Sequence, residues 1–125
     1  VRNPDEFSTL LLLSGRRPLI TLWTASWCPS CEEVAPVVKG MIESDHVGEA
    51  EGGVGYAEVQ LDSPTIGDLG LKYMITSMPT LLAFSRQEPQ MRTRVSRVVD
   101  MKDRRFLTGW IESEARRGGE GGAGG

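Results

Sequence analysis

The sequence predicts an α/β domain: a mixed β-sheet flanked by helices on both faces. Three observations carry that expectation. Leu19–Thr24, "LITLWT", is a nearly continuous apolar run with β-branched and aromatic members, the pattern of a strand buried on both faces. Directly after it, Val34, Val37, Val38, Met41 and Ile42 recur at i, i+3, i+4, i+7 and i+8, one apolar helical stripe. The remaining segments continue the alternation, in the order α-β-α-β-α-β-β-α. Two βα crossovers imply parallel pairing, and a late hairpin implies an antiparallel edge.

The elements follow in order. Residues 5 to 14, "DEFSTLLLLS", read as a short helix closed by Gly15, and Gly15 to Pro18 turn the chain into the first strand. The next helix begins at the cysteines of "SWCPSC". Pro29 falls in its first turn, where a missing N–H costs nothing, and Pro36 inside it is expected to kink it. Asp45 to Gly55 is a loop with four glycines, and Tyr56 to Asp62, "YAEVQLD", is the next strand. Ser63 reads as an N-cap with Pro64 at the first helical position, and Ile66, Leu69 and Tyr73 continue that helix. Thr80 to Ser85 is a strand, "RQEPQ" a turn, and Met91 to Val99 a last strand. The final helix carries Phe106, Leu107, Trp110 and Ile111. Residues 1–117 form the domain, and residues 118–125, "GGEGGAGG", a flexible tail with nothing to bury.

Length and composition narrow the function classes. The chain has 125 residues, enough for one domain around one core. It is 39% hydrophobic and 25% charged with a formal charge of −3, so no basic excess invites nucleic acid. The longest apolar run, Leu10–Leu13, is too short to span a membrane, and no secretory signal is visible. The first residue is Val1, which fits a cleaved organellar precursor and a trimmed chain equally. Two cysteines suit a reducing compartment, where thiols persist unless they do redox work, whereas a secreted disulfide scaffold carries more. The expected setting is intracellular, cytoplasmic or mitochondrial, and the expected state a monomer.

Both cysteines stand two residues apart, between a buried strand and a helix. That puts Cys28 at a helix N-terminus, where unpaired N–H groups and the helix dipole favour an anion. A thiolate is the nucleophile of disulfide exchange, so the position activates Cys28. Cys31, one turn later and expected to be more buried, can attack a mixed disulfide formed at Cys28. A structural clip is the bland reading, but so short a loop removes little chain entropy. Metal binding needs about four ligands, and two cysteines with the single His46 do not supply them. Far away in sequence, Ser77-Met78-Pro79-Thr80 precedes a strand, where proline has no ladder bond to donate and can hold a cis bond.

Three segments, "LWTASWCPSCEEVAPVV", "VQLDSP" and "YMITSMPTLLAF", resemble the thioredoxin superfamily over roughly residues 7 to 115. Together Trp-Cys-x-x-Cys, Pro36 and Met-Pro-Thr are specific. The resemblance implies a thioredoxin-like fold, its first strand missing or vestigial in Val1 to Pro4. It implies protein thiol–disulfide oxidoreduction with Cys28 as nucleophile and Cys31 as resolving thiol. Met78 offers its backbone to an extended substrate, Pro79 is cis and faces the cysteines, and Trp27 packs beside Cys28. No metal or organic cofactor is implied. The partners implied are protein disulfides or thiols, with a reductase or thiol pool to recharge the pair.

Several positions depart from the family. Pro29-Ser30 stands where Gly-Pro is usual, which predicts a couple more oxidising than thioredoxin's. Leu22 occupies the place of the family's buried acid, and Glu58 on the neighbouring strand is the candidate proton-transfer group in its stead. Residues 86 to 108 lack the family's glycine after the last strand. Trp23 and Trp110 read as core and His46 as a solvated loop residue. Arg92, Arg94 and Arg97 read as a charged face blunting an edge strand, or as a docking patch for an acidic partner. Glu32 and Glu33 complement the helix dipole. Two alternatives stay open: a binding or adaptor module whose cysteines are incidental, and an oxidant or isomerase of an oxidising compartment.

Overall fold

Leu19–Thr24 forms the central strand, β1, in a computed structural model that describes residues 1–13, 15 and 17–119. Its first five residues are buried, as the unbroken apolar run requires. Helix α1, Pro4–Leu13, precedes it. Pro4 opens that helix, and Asn3 and Glu6 cap it reciprocally: the Glu6 N–H donates to Asn3 Oδ1, and Asn3 Nδ2 donates to Glu6 Oε1, both at 2.9 Å. After β1 come α2 (Pro29–Glu43), β2 (Gly55–Gln60), α3 (Leu69–Lys72), β3 (Thr80–Ser85), β4 (Glu88–Pro89), α4 (Val98–Met101) and α5 (Arg104–Gly119). Pro36 sits inside α2 without ending it. Helix α5 runs to Gly119, and the rest of the glycine tail lies outside the described residues.

The sheet order is β2-β1-β3-β4. Alternation along β1 divides the core. Ile20 and Leu22 face α2 and α5, against Val34, Val38, Met41, Leu107 and Ile111. Leu19 and Trp23 face the other side, with Phe7 of α1, Leu69 and Tyr73 of the α3 segment, and Phe84 of β3. Trp23 is fully buried and Trp110 nearly so.

Three expectations need correction. Strand β1 is parallel to β2, but β3 runs antiparallel to β1, so only one crossover gives parallel pairing. The β2–β3 connection holds a single four-residue helix and returns the chain to the same end of the sheet, setting Thr80 opposite Trp23. Second, α3 starts at Leu69 rather than at Ser63–Pro64. The Ser63 hydroxyl is used elsewhere, donating to the Arg2 carbonyl at 3.0 Å, and Gly67 at φ 68° interrupts any earlier turn.

Third, Met91 to Val99 is not a strand. Arg86 and Gln87, at φ 53° and 71°, make a tight hairpin turn, so pairing begins at Glu88. Pro89 lies opposite Phe84, and one further ladder bond, from the Gln90 N–H to the Ala83 carbonyl at 2.8 Å, precedes the turn. A 3-10 turn follows at Met91–Thr93, its Thr93 carbonyl held by the Trp110 indole N–H at 2.7 Å. The chain rejoins β3 only at the Leu81–Val95 bridge, and Val98 already begins α4. The first strand is missing, as expected: no described residue before Leu19 is in a strand. Val1 alone lies along β2, donating its amino group to the Glu58 carbonyl at 2.8 Å and accepting the Gln60 N–H at 3.2 Å.

Candidate active site

The site lies at the C-terminal end of β1, where a short loop delivers the chain into α2. Cys28 is the N-cap of α2, with extended backbone, and its Sγ accepts the Cys31 N–H at 3.2 Å. Pro29 is the first helical residue, so no donor is wasted there. Ser30 is half-buried behind it. Cys28 and Cys31 form a disulfide with Cα atoms 5.3 Å apart, inside the ordinary range for such a bond. The expected difference in their burial is absent: both are nearly closed off, at 4% and 3% exposure. In the disulfide the two sulfurs sit side by side under the same cover, a small cluster with Ala25 against which Met78 packs.

The antiparallel course of β3 brings the second element here. Thr80 faces Trp23, so Met78 and Pro79 stand beside the cysteine loop. The Met78–Pro79 bond is cis, Pro79 is buried, and Cys28 Sγ lies 3.8 Å from the Met78 carbonyl oxygen. The Thr80 hydroxyl donates to the Ser77 carbonyl at 2.7 Å and closes the approach. Trp27 is 67% exposed, an aromatic surface next to Cys28.

Beneath the site, Leu22 is fully buried and in register with Glu58 of β2. Glu58 is half-buried, and its Oε2 accepts the Tyr56 hydroxyl at 2.9 Å. Burial pushes the Tyr56 hydroxyl well above the ordinary phenol range, and the Glu58 carboxylate adds to the shift. Tyr56 is therefore a neutral donor to that carboxylate.

The sequence offered no signal for one pair. Asp62, just past β2, accepts the Ser26 N–H at 3.2 Å on Oδ1 and 3.1 Å on Oδ2, and accepts the Ser26 hydroxyl as well. The Ser26 hydroxyl, followed by its N–H, holds the Asp62 carboxyl below the usual carboxylate range. The two residues are far apart in sequence, and only the parallel β1–β2 register brings them together.

Other residues stand apart. Arg92, Arg94 and Arg97 are exposed, and Arg97 pairs loosely with Asp100 at 4.0 Å. Glu33 pairs with Lys102, and exposed His46 with Glu49 at 2.8 Å. Among the described residues no group of His, Cys, Asp and Glu is arranged to hold a metal, and no helix is long and apolar enough to cross a membrane. A cavity of about 450 Å³ lined by Arg17, Glu43, His46 and Tyr56 opens at the opposite end of the sheet, away from the cysteines.

Residues 1–112 match the family model described as Thioredoxin. The chain belongs to the thioredoxin family. It is 29% identical over 107 residues to a thioredoxin-like protein of Fusarium culmorum, spanning 86% of this chain and 82% of that one. It is 29% identical over 102 residues to thioredoxin of Mycobacterium tuberculosis, spanning 82% and 77%. In fold it is similar to the crystal structure of Malassezia sympodialis thioredoxin, with a TM-score of 0.71 at 20% identity over 92% of this chain and 88% of that one. Thioredoxin family membership and the Cys28–Cys31 disulfide together make the chain a thiol–disulfide oxidoreductase.

Proposed function

We propose that the chain exchanges electrons with the disulfides or thiols of partner proteins through its Cys-Pro-Ser-Cys couple. The observation that carries this is the Cys28 sulfur, capping α2 on the Cys31 N–H while lying beside the Met78 carbonyl. In the reducing direction the Cys28 thiolate attacks one sulfur of a partner disulfide. A mixed disulfide forms, and the partner's other sulfur leaves as a thiolate and takes a proton. Cys31 then gives up its proton and attacks Cys28 Sγ, closing the Cys28–Cys31 disulfide and releasing the partner's second thiolate. Two electrons have moved to the partner, whose two thiolates take up the proton lost by Cys31 and one from solvent. A reductase or a thiol pool returns the electrons.

Met78 and Pro79 hold the partner's extended segment, Trp27 lines its path, and Glu58 handles the Cys31 proton. Pro29 and Ser30 set the potential. The working unit is residues 1–117 as a monomer, with 118–125 as its tail, in the cytoplasm or mitochondria. The partners are proteins, not nucleic acid or membrane.

The deciding experiment titrates the couple against defined thiol–disulfide buffers, following thiol trapping and tryptophan fluorescence together. A reversible two-electron transition with a midpoint above thioredoxin's, by an amount on the scale of about 30 mV per tenfold change in equilibrium, is expected. A midpoint equal to or below thioredoxin's refutes the assignment of Pro29 and Ser30, and a strongly oxidising one favours the oxidant or isomerase reading. Absence of any reversible transition refutes exchange altogether. The adaptor reading draws on fully buried Leu22 in place of the family's acid. Partner capture that survives Cys28→Ser and Cys31→Ser would favour it.

A further inference from the structure

We propose that Asp62 is a positioning residue for Cys28, acting through Ser26 to hold the nucleophile's loop in its helix-capping geometry. The proposal rests on the redox reading of the cysteine pair. Cys28 can cap α2 only if the backbone from Ala25 to Cys28 keeps its turn, closed by the Cys28 N–H on the Ala25 carbonyl at 3.2 Å. Within that turn the Ser26 N–H and hydroxyl both end on the Asp62 carboxylate. Asp62 is itself anchored next to a fixed point, since the Leu61 N–H donates to the Thr24 carbonyl at 2.8 Å. In the oxidised chain the disulfide also restrains Cys28. Once it is reduced, that restraint is gone and the Asp62 contacts remain. They keep Sγ aimed at the Cys31 N–H, where the helix end stabilises the thiolate.

The sign of the effect separates positioning from simple charge. Among the described residues, the charged groups around the Cys28 end include Asp62, Glu32 in the first turn of α2, Glu33 after it, Lys102, which pairs with Glu33, and Glu58 on the neighbouring strand. Removing Asp62 as a nearby negative charge would favour the thiolate and lower the thiol pKa. Removing it as a clamp loosens the cap and raises the thiol pKa. Reduced full-length chain is alkylated with iodoacetamide across pH, and Cys28 modification is read by peptide mass spectrometry. In parallel, reduction of a soluble aromatic disulfide is timed.

Asp62→Ala is expected to move the alkylation midpoint upward and to slow disulfide reduction several-fold at neutral pH. Ser26→Ala keeps the backbone contacts and is expected to shift it less, in the same direction. A midpoint that stays or falls in Asp62→Ala overturns the proposal. Should that variant not fold, the sign of the Ser26→Ala shift decides instead. A parent chain that does not cycle reversibly fails on the redox reading and takes the clamp's role with it. A parent that cycles, with Asp62→Ala indistinguishable from it, overturns the clamp alone.

Discussion

The two faces of the sheet are packed by different chemistry. On the α1 and α3 side, Phe7, Trp23, Tyr73 and Phe84 form a ring cluster with centroids 5.1 to 5.8 Å apart, mostly edge to face. Its buried indole is satisfied: the Trp23 N–H donates to the Thr21 hydroxyl at 2.8 Å, which donates to the Leu82 carbonyl at 2.6 Å. On the α2 and α5 side the core is mainly aliphatic, and two carboxylates intrude on it. Glu58 is half-buried, in register with Leu22. Glu114 of α5 is fully buried, with Oε1 on Arg117 Nε at 3.1 Å and Oε2 without a hydrogen-bond partner among the described residues. One face is closed and satisfied. The other supports the cysteines and tolerates charge, which is where proton handling belongs.

The sharpest break in that contrast is Phe7→Ala. Phe7 is 1% exposed and touches Trp23, Tyr73 and Phe84. Its loss should cost about 3–5 kcal/mol, for the transfer of the ring and the cavity left behind. Because this face does not touch the cysteines, the redox midpoint should hold while the denaturation midpoint falls. Chemical denaturation and redox titration on one sample check both. A shifted redox midpoint would show that the faces are not independent.

A smaller effect is expected at Glu114. Burial raises its carboxyl above the ordinary glutamate value, despite the opposing Arg117 charge. A raised folded-state value means that the group's contribution to stability is complete below the unfolded value. It is lost as pH rises through the folded one. Glu114→Gln cannot titrate, so its stability relative to the parent should improve as pH climbs out of the acidic range. The scale is on the order of 1 kcal/mol, usual for single substitutions. Denaturation curves across pH test it, and a pH-independent difference would show that Glu114 does not titrate in the fold.

How far the sequence could be read differs between regions for physical reasons. Strand β1 and helix α2 were legible because burial imposes a period on them: the unbroken run of Leu19–Thr24 and the stripe of Val34, Val38, Met41 and Ile42. Those elements carry Cys28 and Cys31, and the antiparallel β3 sets Met78 and Pro79 beside them. Met91 to Val99 misled because its alternation of arginines with Met91 and Val95 imitates a strand. The Arg86–Gln87 turn and the Trp110 indole instead divert the backbone into a 3-10 turn. The Ser26–Asp62 contact was invisible because no local pattern encodes a meeting across two parallel strands.

The smallest expected effect falls on Glu58, and it asks whether the charged face does chemistry or only accommodates charge. With fully buried Leu22 beside it, Glu58 is the carboxylate the sheet offers on that face. Its Oε2 takes the Tyr56 hydroxyl, which stays protonated, so the carboxylate is oriented and keeps lone pairs for a second proton. If it relays the Cys31 proton, Glu58→Gln keeps the Tyr56 contact and the shape but removes the base. Release of the mixed disulfide should then slow several-fold, below the roughly 10²–10⁴-fold usual for a lost general acid or base, because water can also take the proton. The first attack by Cys28 should be untouched. Stopped-flow traces that separate the two phases read this directly. If both phases match the parent, Glu58 is only the acceptor of Tyr56, and the Cys31 proton leaves to water.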